Sequence, residues 1–301
     1  MELESRFSDE DACRDYLFAL RWPDGFVCPT CGACLAWRTA RGLWLCHGCR
    51  SQVSVTAGTI FQDSKLPLTL WFRAMWQVTS QKHGISALGL QRVLGLGSYR
   101  TAWALLHKLR RAMVRPGRER LRGVVEVDET YWGAIEQGVT GRRTYAKALI
   151  AVAAEAVPGR DRAIGRIRLR RVPDLKRATL HGFIADAVEP GSTIITDGLN
   201  AFRDLSGYAH ERQVQRRQPP DDDHLLPRVH RSISLLKRWL LGTHHGAIAH
   251  EHLDAYLDEF TFRFNRRSSA SRGKLFYRLA QHAVQVDPAP YETLITSPAE
   301  P

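Results

Sequence analysis

The sequence predicts a multidomain α+β protein: a small metal-stapled module at the N-terminus, a helical segment behind it, and an α/β domain over the C-terminal half. Three observations predict this. All six cysteines, at positions 13, 28, 31, 34, 46 and 49, lie near the N-terminus. Residues 63–115 carry apolar side chains at helical spacing. From residue 120 on, short β-branched runs precede long helical runs, and two of the short runs lead into aspartates. The boundaries that follow are 1–62 for an N-terminal helix and the metal module, and 63–118 for the helical segment. The α/β domain takes 119–284, and 285–301 is a proline-rich tail expected to be disordered.

The first element is a short helix with Cys13, Tyr16, Leu17 and Leu20 at helical spacing. Behind it stand two C-x-x-C knuckles, Cys28 with Cys31 and Cys46 with Cys49. Each knuckle offers two thiolates to one tetrahedral ion, and a short β-rich stretch between them brings the pairs together as a zinc ribbon. A redox C-x-x-C would come as a single pair beside a βαβ unit. Cys34 is then a spare thiol, and Cys13 a core cysteine. Four thiolates close the coordination sphere, so this Zn²⁺ is structural. Trp37, Arg38, Arg41, Trp44 and Arg50 decorate the ribbon. Contact with DNA and packing of a small domain both account for them.

In the helical segment, Gly95-Leu-Gly97 divides two short helices. Ile85, Leu88 and Val93 supply the apolar side of the first. Ser98 can cap the second, with Ala102, Leu105, Leu106 and Leu109 facing inward. Two short helices across a glycine turn, the second rich in Arg and Lys, fit a helix-turn-helix. Arg100, Thr101, Trp103 and Lys108 then lie near DNA. A plain helical bundle is the alternative.

The α/β domain opens with a strand, VVEVDE, that carries Glu126, Asp128 and Glu129. Two more strand runs follow, 144–157 and 163–172, then a helix over 174–187 with Leu175, Leu180, Phe183 and Ile184 inward. A fourth strand holds Ile194 and Ile195 and ends on Asp197. In a ribonuclease-H-like sheet the first and fourth strands are neighbours, so Asp128 and Asp197 would meet and share divalent cations. A solvated turn after an edge strand is the bland reading of the same carboxylates. A long helix over 225–246 follows, with Val229, Ile233, Leu236 and Leu240 as its buried stripe. His230, Ser234 and Lys237 share a neighbouring stripe. That face has no carboxylate; the nearest acids are Asp221, Asp222 and Asp223, before the helix.

The charge balance narrows the partner. Forty-three Lys and Arg against thirty-one Asp and Glu leave +12, which points to a polyanion, most often nucleic acid. Arg166, Arg168 and Arg170 share one face of a strand. They read as a phosphate-tracking stripe or as a solvated edge. Arg266, with Arg263, Asn265 and Arg267, either binds phosphate or caps the domain. No run of about 18 apolar residues is present, so no membrane partner is expected. The acidic, polar start MELESRFSDE is no secretory signal. A cytosolic protein is expected.

Six segments, RWPDGFVCPTCG, QVSVTAGTIF, VEVDETYWG, ITDGLNAF, LKRWLLGTHHG and YLDEFTFRFNRR, resemble a known family in family order over about residues 20–280. The chain resembles DDE transposases of the ISXO-like (IS-fifteen-ninety-five) insertion-sequence family. The resemblance implies a zinc ribbon, a DNA-binding helical part and a ribonuclease-H-like catalytic domain. It implies cutting and joining of DNA at the element's terminal repeats with Mg²⁺ or Mn²⁺, by a homo-oligomer on paired ends near the bacterial nucleoid. By position, Asp128 and Asp197 are the first two catalytic carboxylates and Lys237 is the family's lysine. The third ligand, Glu or Asn in the family, falls on His230 or on Leu235, which cannot bind metal. His230 is the reading adopted; an aspartate from 221–223 is its rival. A decayed or co-opted copy that binds DNA without cutting it is the alternative function, and a nuclease without strand transfer is a third.

Overall fold

The computed structural model describes residues 2–115, 117–133, 147–213 and 225–295. The chain divides into two compact units, Met1–Arg115 with Ser269–Pro301, and Pro116–Ser268.

The first unit begins with α1 (Glu2–Arg6) and α2 (Glu10–Arg21). Asp9 caps α2 by accepting the Ala12 N–H at 2.8 Å. The ribbon is a three-stranded antiparallel sheet of β1 (Ala36–Arg38), β2 (Trp44–Cys46) and β3 (Gln52–Val53). Phe18 of α2 stacks on Trp44 at 4.1 Å, so this tryptophan packs the module. Arg38 is held by Asp11 and Asp15 at 2.6 and 2.8 Å. Trp37 stays 43% exposed, with the Arg50 guanidinium over its ring.

Three helices follow: α3 (Leu68–Ser80), α4 (Ala87–Leu94) and α5 (Tyr99–Arg111). Ser86 and Ser98 accept the first free N–H groups of α4 and α5, and Gly95, at φ 64°, ends α4 in the left-handed region. The expected inward residues of α5 are buried, and His107 and Arg110 are buried with them. Those of α4 are not. Its helix starts after the Ser86 cap, so the buried positions are Ala87 and Leu90, while Leu88 and Val93 are exposed.

The second unit contains β4 (Val124–Trp132), β5 (Ala148–Ala156), β6 (Ile164–Val172), α6 (Arg177–Ala187), β7 (Thr193–Thr196), β8 (Ala209–Arg212), α7 (Pro227–His244) and α8 (Leu253–Phe264). The sheet order is β6-β5-β4-β7-β8. The β4–β5 and β5–β6 pairs are antiparallel, and β4–β7 and β7–β8 are parallel. This is the ribonuclease-H-like arrangement, with the first and fourth strands adjacent. Each face carries its own core. Val152, Ile167, Leu169, Val229, Leu236 and Leu257 fill the side of α7 and α8. Val125, Val127, Ala151, Leu180, Phe183 and Ile184 fill the side of α6. Because side chains alternate along a strand, Glu126 and Asp128 start from the α7 face of β4.

An edge strand needs cover for its open backbone groups. On β6 the side chain of Asn265 provides it: Oδ1 accepts the Ile167 N–H at 2.8 Å, and Nδ2 donates to Ile167 O at 3.1 Å. Arg267 donates to Gly165 O at 3.1 Å and to Ile164 O. Of the two readings of this basic stretch, Asn265 and Arg267 follow the capping one. Arg266 lies 4.1 Å over the Phe262 ring and donates to Phe262 O at 3.1 Å.

The chain then returns to the first unit as α9 (Arg272–Ala283) and α10 (Tyr291–Ile295). Phe276 of α9 packs on Phe72 of α3 at 5.7 Å, and Leu294 of α10 is buried. Two boundaries are corrected accordingly. Residues 269–284 leave the second unit at the serine-rich stretch around 268–271, and the tail read as disordered contains a helix. Helical periodicity identifies a helix but not the surface it packs on.

Replacing Asn265 by Ala is expected to lower stability by about 1–3 kcal/mol, because it strands the Ile167 N–H, while Ile167 O keeps Arg168 as a donor. Urea unfolding of the variant against the parent protein measures it.

Candidate active site

The last parallel pair of β4 and β7 is Val127 with Thr196. The next residues, Asp128 and Asp197, therefore face each other just past the end of β7. Asp128 was expected at the end of its own strand. It lies in the middle instead, since β4 runs on to Trp132 against β5. The open flank comes from the shortness of β7.

The turn after β7 is pinned. Asp197 Oδ1 accepts the Leu199 N–H at 2.9 Å, and Arg212 donates to Gly198 O at 2.7 Å. Thr196 Oγ1 donates to Asp197 O at 3.0 Å and lies 2.9 Å from His210 Nε2. With the hydroxyl proton committed to Asp197, His210 must be the donor in the second bond. Burial, and then the charges of Arg212 and His181, hold His210 below the usual imidazole range.

A carboxylate oxygen from each of Asp128, Glu129 and Asp197 lies within 4.8 Å of the other two. Glu129 is buried (9% exposed). Alternation starts it on the opposite face from Asp128. Past the end of β7 no strand separates the two faces, and the group gathers there. His230 is not a member of this group. Its Nε2 lies 3.1 Å from Asp128 Oδ2. That hydrogen bond raises the His230 pKa above the ordinary imidazole value, burial opposes it, and the charges of Asp128, Glu126 and Asp197 reinforce it. Asp221, Asp222 and Asp223 lie outside the described residues. Leu235 packs against the core.

Glu126 explains how His230 comes to this place. Its carboxylate is 2% exposed. It accepts the N–H groups of Arg228 and Val229 at 2.7 and 2.9 Å, and Arg228 Nη1 at 2.7 Å. The start of α7 has Pro227 in its first turn, no capping side chain of its own and no acid. A strand carboxylate supplies both the cap and the negative charge that the helix N-terminus favours. His230 follows within the first turn, beside Asp128, two residues along β4 from Glu126. The sequence places Glu126 on the strand with Asp128 and assigns it no role. The legible signal was the shared strand face of 126 and 128 together with an uncapped, acid-free helix start.

Lys237 is seven residues beyond His230, about 10 Å along the helix axis. Burial, and then the charge of Lys147, lower its pKa. Lys147 stands beside Gly133, where an added Cβ would come within 3.2 Å of it.

The arginines of β6 have partners within the domain. Arg168 is buried, donates to Ile167 O at 3.0 Å and to Glu119 O, and is lowered to about 10 by burial first. Arg166 forks onto Glu155 at 3.1 and 3.0 Å, and Arg170 onto Asp186 at 2.7 Å. These guanidiniums serve the domain itself. In the first unit, Arg100 is exposed and donates to Tyr291 at 3.2 Å, while Lys108 is half-buried with its pKa lowered by desolvation.

The second candidate centre is the ribbon. Cys28, Cys31, Cys46 and Cys49 gather their sulfurs within 4.8 Å. The Cys28–Cys49 and Cys31–Cys46 separations are 3.7 and 3.6 Å. A tetrahedron with zinc–sulfur bonds of about 2.3 Å has edges of about 3.8 Å, so the donor set fits Zn²⁺. Cys34 is exposed, with its Sγ 3.7 Å from Gly32 O and outside that group. Cys13 is fully buried in α2, and burial raises its thiol to about 12.

Comparison with known proteins matches both parts of the chain to transposase domains. A model of the ISXO2-like transposase domain matches residues 120–265, and one of the transposase zinc-ribbon domain matches residues 8–52. An uncharacterized protein in transposable element ISH50 of Halobacterium salinarum is 28% identical over 285 residues, covering 85% of this chain and 91% of that one. The catalytic core domain of BIV integrase is similar with 13% identity and a TM-score of 0.30, covering 49% of this chain and 85% of that one. At that score the likeness carries no weight, and the fold rests on the strand order. Among the described residues no helix is long and apolar enough to cross a membrane.

Glu126→Ala should cost about 1–3 kcal/mol, because it leaves the N–H groups that open α7 without their acceptor and the half-buried Arg228 without its counter-charge. Glu126→Gln, which keeps acceptors for the helix N–H groups, should cost less. Guanidinium unfolding of both variants checks the order. Cys46→Ser should strip zinc from the purified chain, as read by elemental analysis.

Proposed function

We propose that the chain acts as an ISXO2-like transposase, in which Asp128, Glu129 and Asp197 hold the catalytic cations while His230 positions Asp128. Enzymes of this kind cut DNA at the ends of an insertion sequence and join the freed end to a target. The observation that carries the residue assignment is the gathering of three carboxylates where β7 stops. Hard oxygen donors suit Mg²⁺ or Mn²⁺. When bound, two such ions activate the attacking oxygen and stabilise the leaving one.

The chain's own residues prepare that site. His230 Nε2, 3.1 Å from Asp128 Oδ2, fixes the rotamer of that carboxylate and leaves its other oxygen for a cation. Glu129 fills the role that the family gives to Glu or Asn on the helix. Lys237 on α7 and Lys147 just ahead of β5 present positive charge and hold a DNA phosphate. Arg100 and Lys108 of α5 contact the terminal repeats. The enzyme works as a homo-oligomer on paired ends, in the cytoplasm at the nucleoid. The reading as a co-opted binding protein rested on a missing third carboxylate. Glu129 in the cluster favours the active enzyme.

Cleavage and joining of DNA bearing the element's own flanking ends, in Mn²⁺, tests this. Asp128→Ala, Asp197→Ala and Glu129→Ala should each abolish both steps. His230→Gln should lower the rate by about 10- to 100-fold without abolishing it, the usual effect of losing a group that orients a ligand. Full activity in Glu129→Ala with none in His230→Ala would make the histidine the third ligand.

A further inference from the structure

The first unit carries a cleft that neither the ribbon nor the helix-turn-helix explains. It lies between α1, α3 and the start of α9, with a volume of about 470 Å³. Its floor is Phe7 and Phe276, both buried, 5.7 Å apart. Tyr16 and Trp76 form half-buried walls, and Tyr277, 40% exposed, stands at the rim. A cleft this size falls in the ~300–1,000 Å³ range of sites for small organic groups.

The rim is cationic. The Arg6 guanidinium lies 5.5 Å from the Phe7 ring and 5.3 Å from the Tyr16 ring. Lys274, in the first turn of α9, lines the same cleft. Neither cation has an acidic partner within ion-pair distance among the described residues. Ser271 makes no side-chain cap on α9, and the first turn carries no acid to offset Lys274. Aromatic faces below unpaired cations match one ligand chemistry closely: a flat base with a phosphate attached.

We propose that this cleft binds an unpaired nucleotide of DNA, its base stacked against Tyr277 and Trp76 and its phosphate held by Arg6 and Lys274. Duplex DNA does not satisfy the site, because paired bases present only edges and a base must leave the stack to offer its face. The proposal rests on the transposase reading in one respect. Cutting an element end creates strand termini at which a nucleotide can be unpaired. The cleft would then hold a frayed or flanking nucleotide away from the duplex.

The test uses the full-length, zinc-loaded protein and two DNAs with the element's end sequence, one blunt and one with a short single-stranded overhang containing 2-aminopurine. Tyr277, Arg6 and Lys274 are surface side chains, so their variants keep the fold. The wild type should bind the overhang DNA more tightly than the blunt one and change the 2-aminopurine fluorescence. Tyr277→Ala and the double variant Arg6→Ala/Lys274→Ala should lose about 5- to 100-fold in overhang affinity, the range for one stacked base. Tyr277→Phe, which keeps the ring, should bind as the wild type does, and blunt-duplex affinity should be unchanged throughout. Equal overhang affinity in wild type and variants, with duplex binding intact, would overturn the cleft assignment and leave the transposase reading standing. No binding of either DNA by the wild type would overturn both. Variants that alter self-association but not overhang binding would overturn the nucleotide in favour of a second copy of the chain.

Discussion

The candidate site depends on a difference in strand length. β4 runs to Trp132, while its parallel neighbour β7 stops at Thr196. A longer β7 would pair past Val127 and cover the flank of Asp128. A shorter β4 would leave Asp128 on a loop. With this mismatch, Asp128 stays on a rigid central strand and still has an open side. Asp197 turns in from the end of β7, and Glu129 reaches the same point from the other face. Sites built on strands hold their geometry better than sites built on loops, and a site that must accept cations and a phosphate needs both rigidity and access.

The second constraint is the buried Glu126 carboxylate. Burying a charge is costly unless it is fully paired, and here two backbone N–H groups and a guanidinium share it. Docking α7 onto the strand in this way sets the helix in one register. His230 then meets Asp128, and Val229, Ile233, Leu236 and Leu240 meet the sheet. One polar contact thus couples the core of the domain to the orientation of Asp128.

Much of this was legible in the sequence. Knuckle spacing identifies the four zinc ligands, because two C-x-x-C pairs have few other uses. Strand runs ending on aspartates identify the sheet and the meeting of Asp128 with Asp197. The period of α7 identifies its buried stripe. Other features were not legible, for physical reasons. β8 is only AHER, without apolar alternation, and forms because β7 offers it an edge. Glu129 belongs to the opposite face by alternation, so its place in the cluster depends on where a different strand ends. The arginines of β6 look like a phosphate stripe in sequence, yet Glu155, Asp186 and a buried position claim them. Asn265 covers an edge about a hundred residues away, which no local pattern announces.

The central claim is that Glu129, not His230, completes the cation site. Calorimetric titration of Mn²⁺ into the zinc-loaded protein tests it without any DNA or turnover. Glu129→Gln should weaken Mn²⁺ binding by about tenfold or more, as Asp197→Asn does, while His230→Gln weakens it less. Unchanged Mn²⁺ affinity in Glu129→Gln, with binding abolished in His230→Gln, would contradict the account and return the third position to the helix.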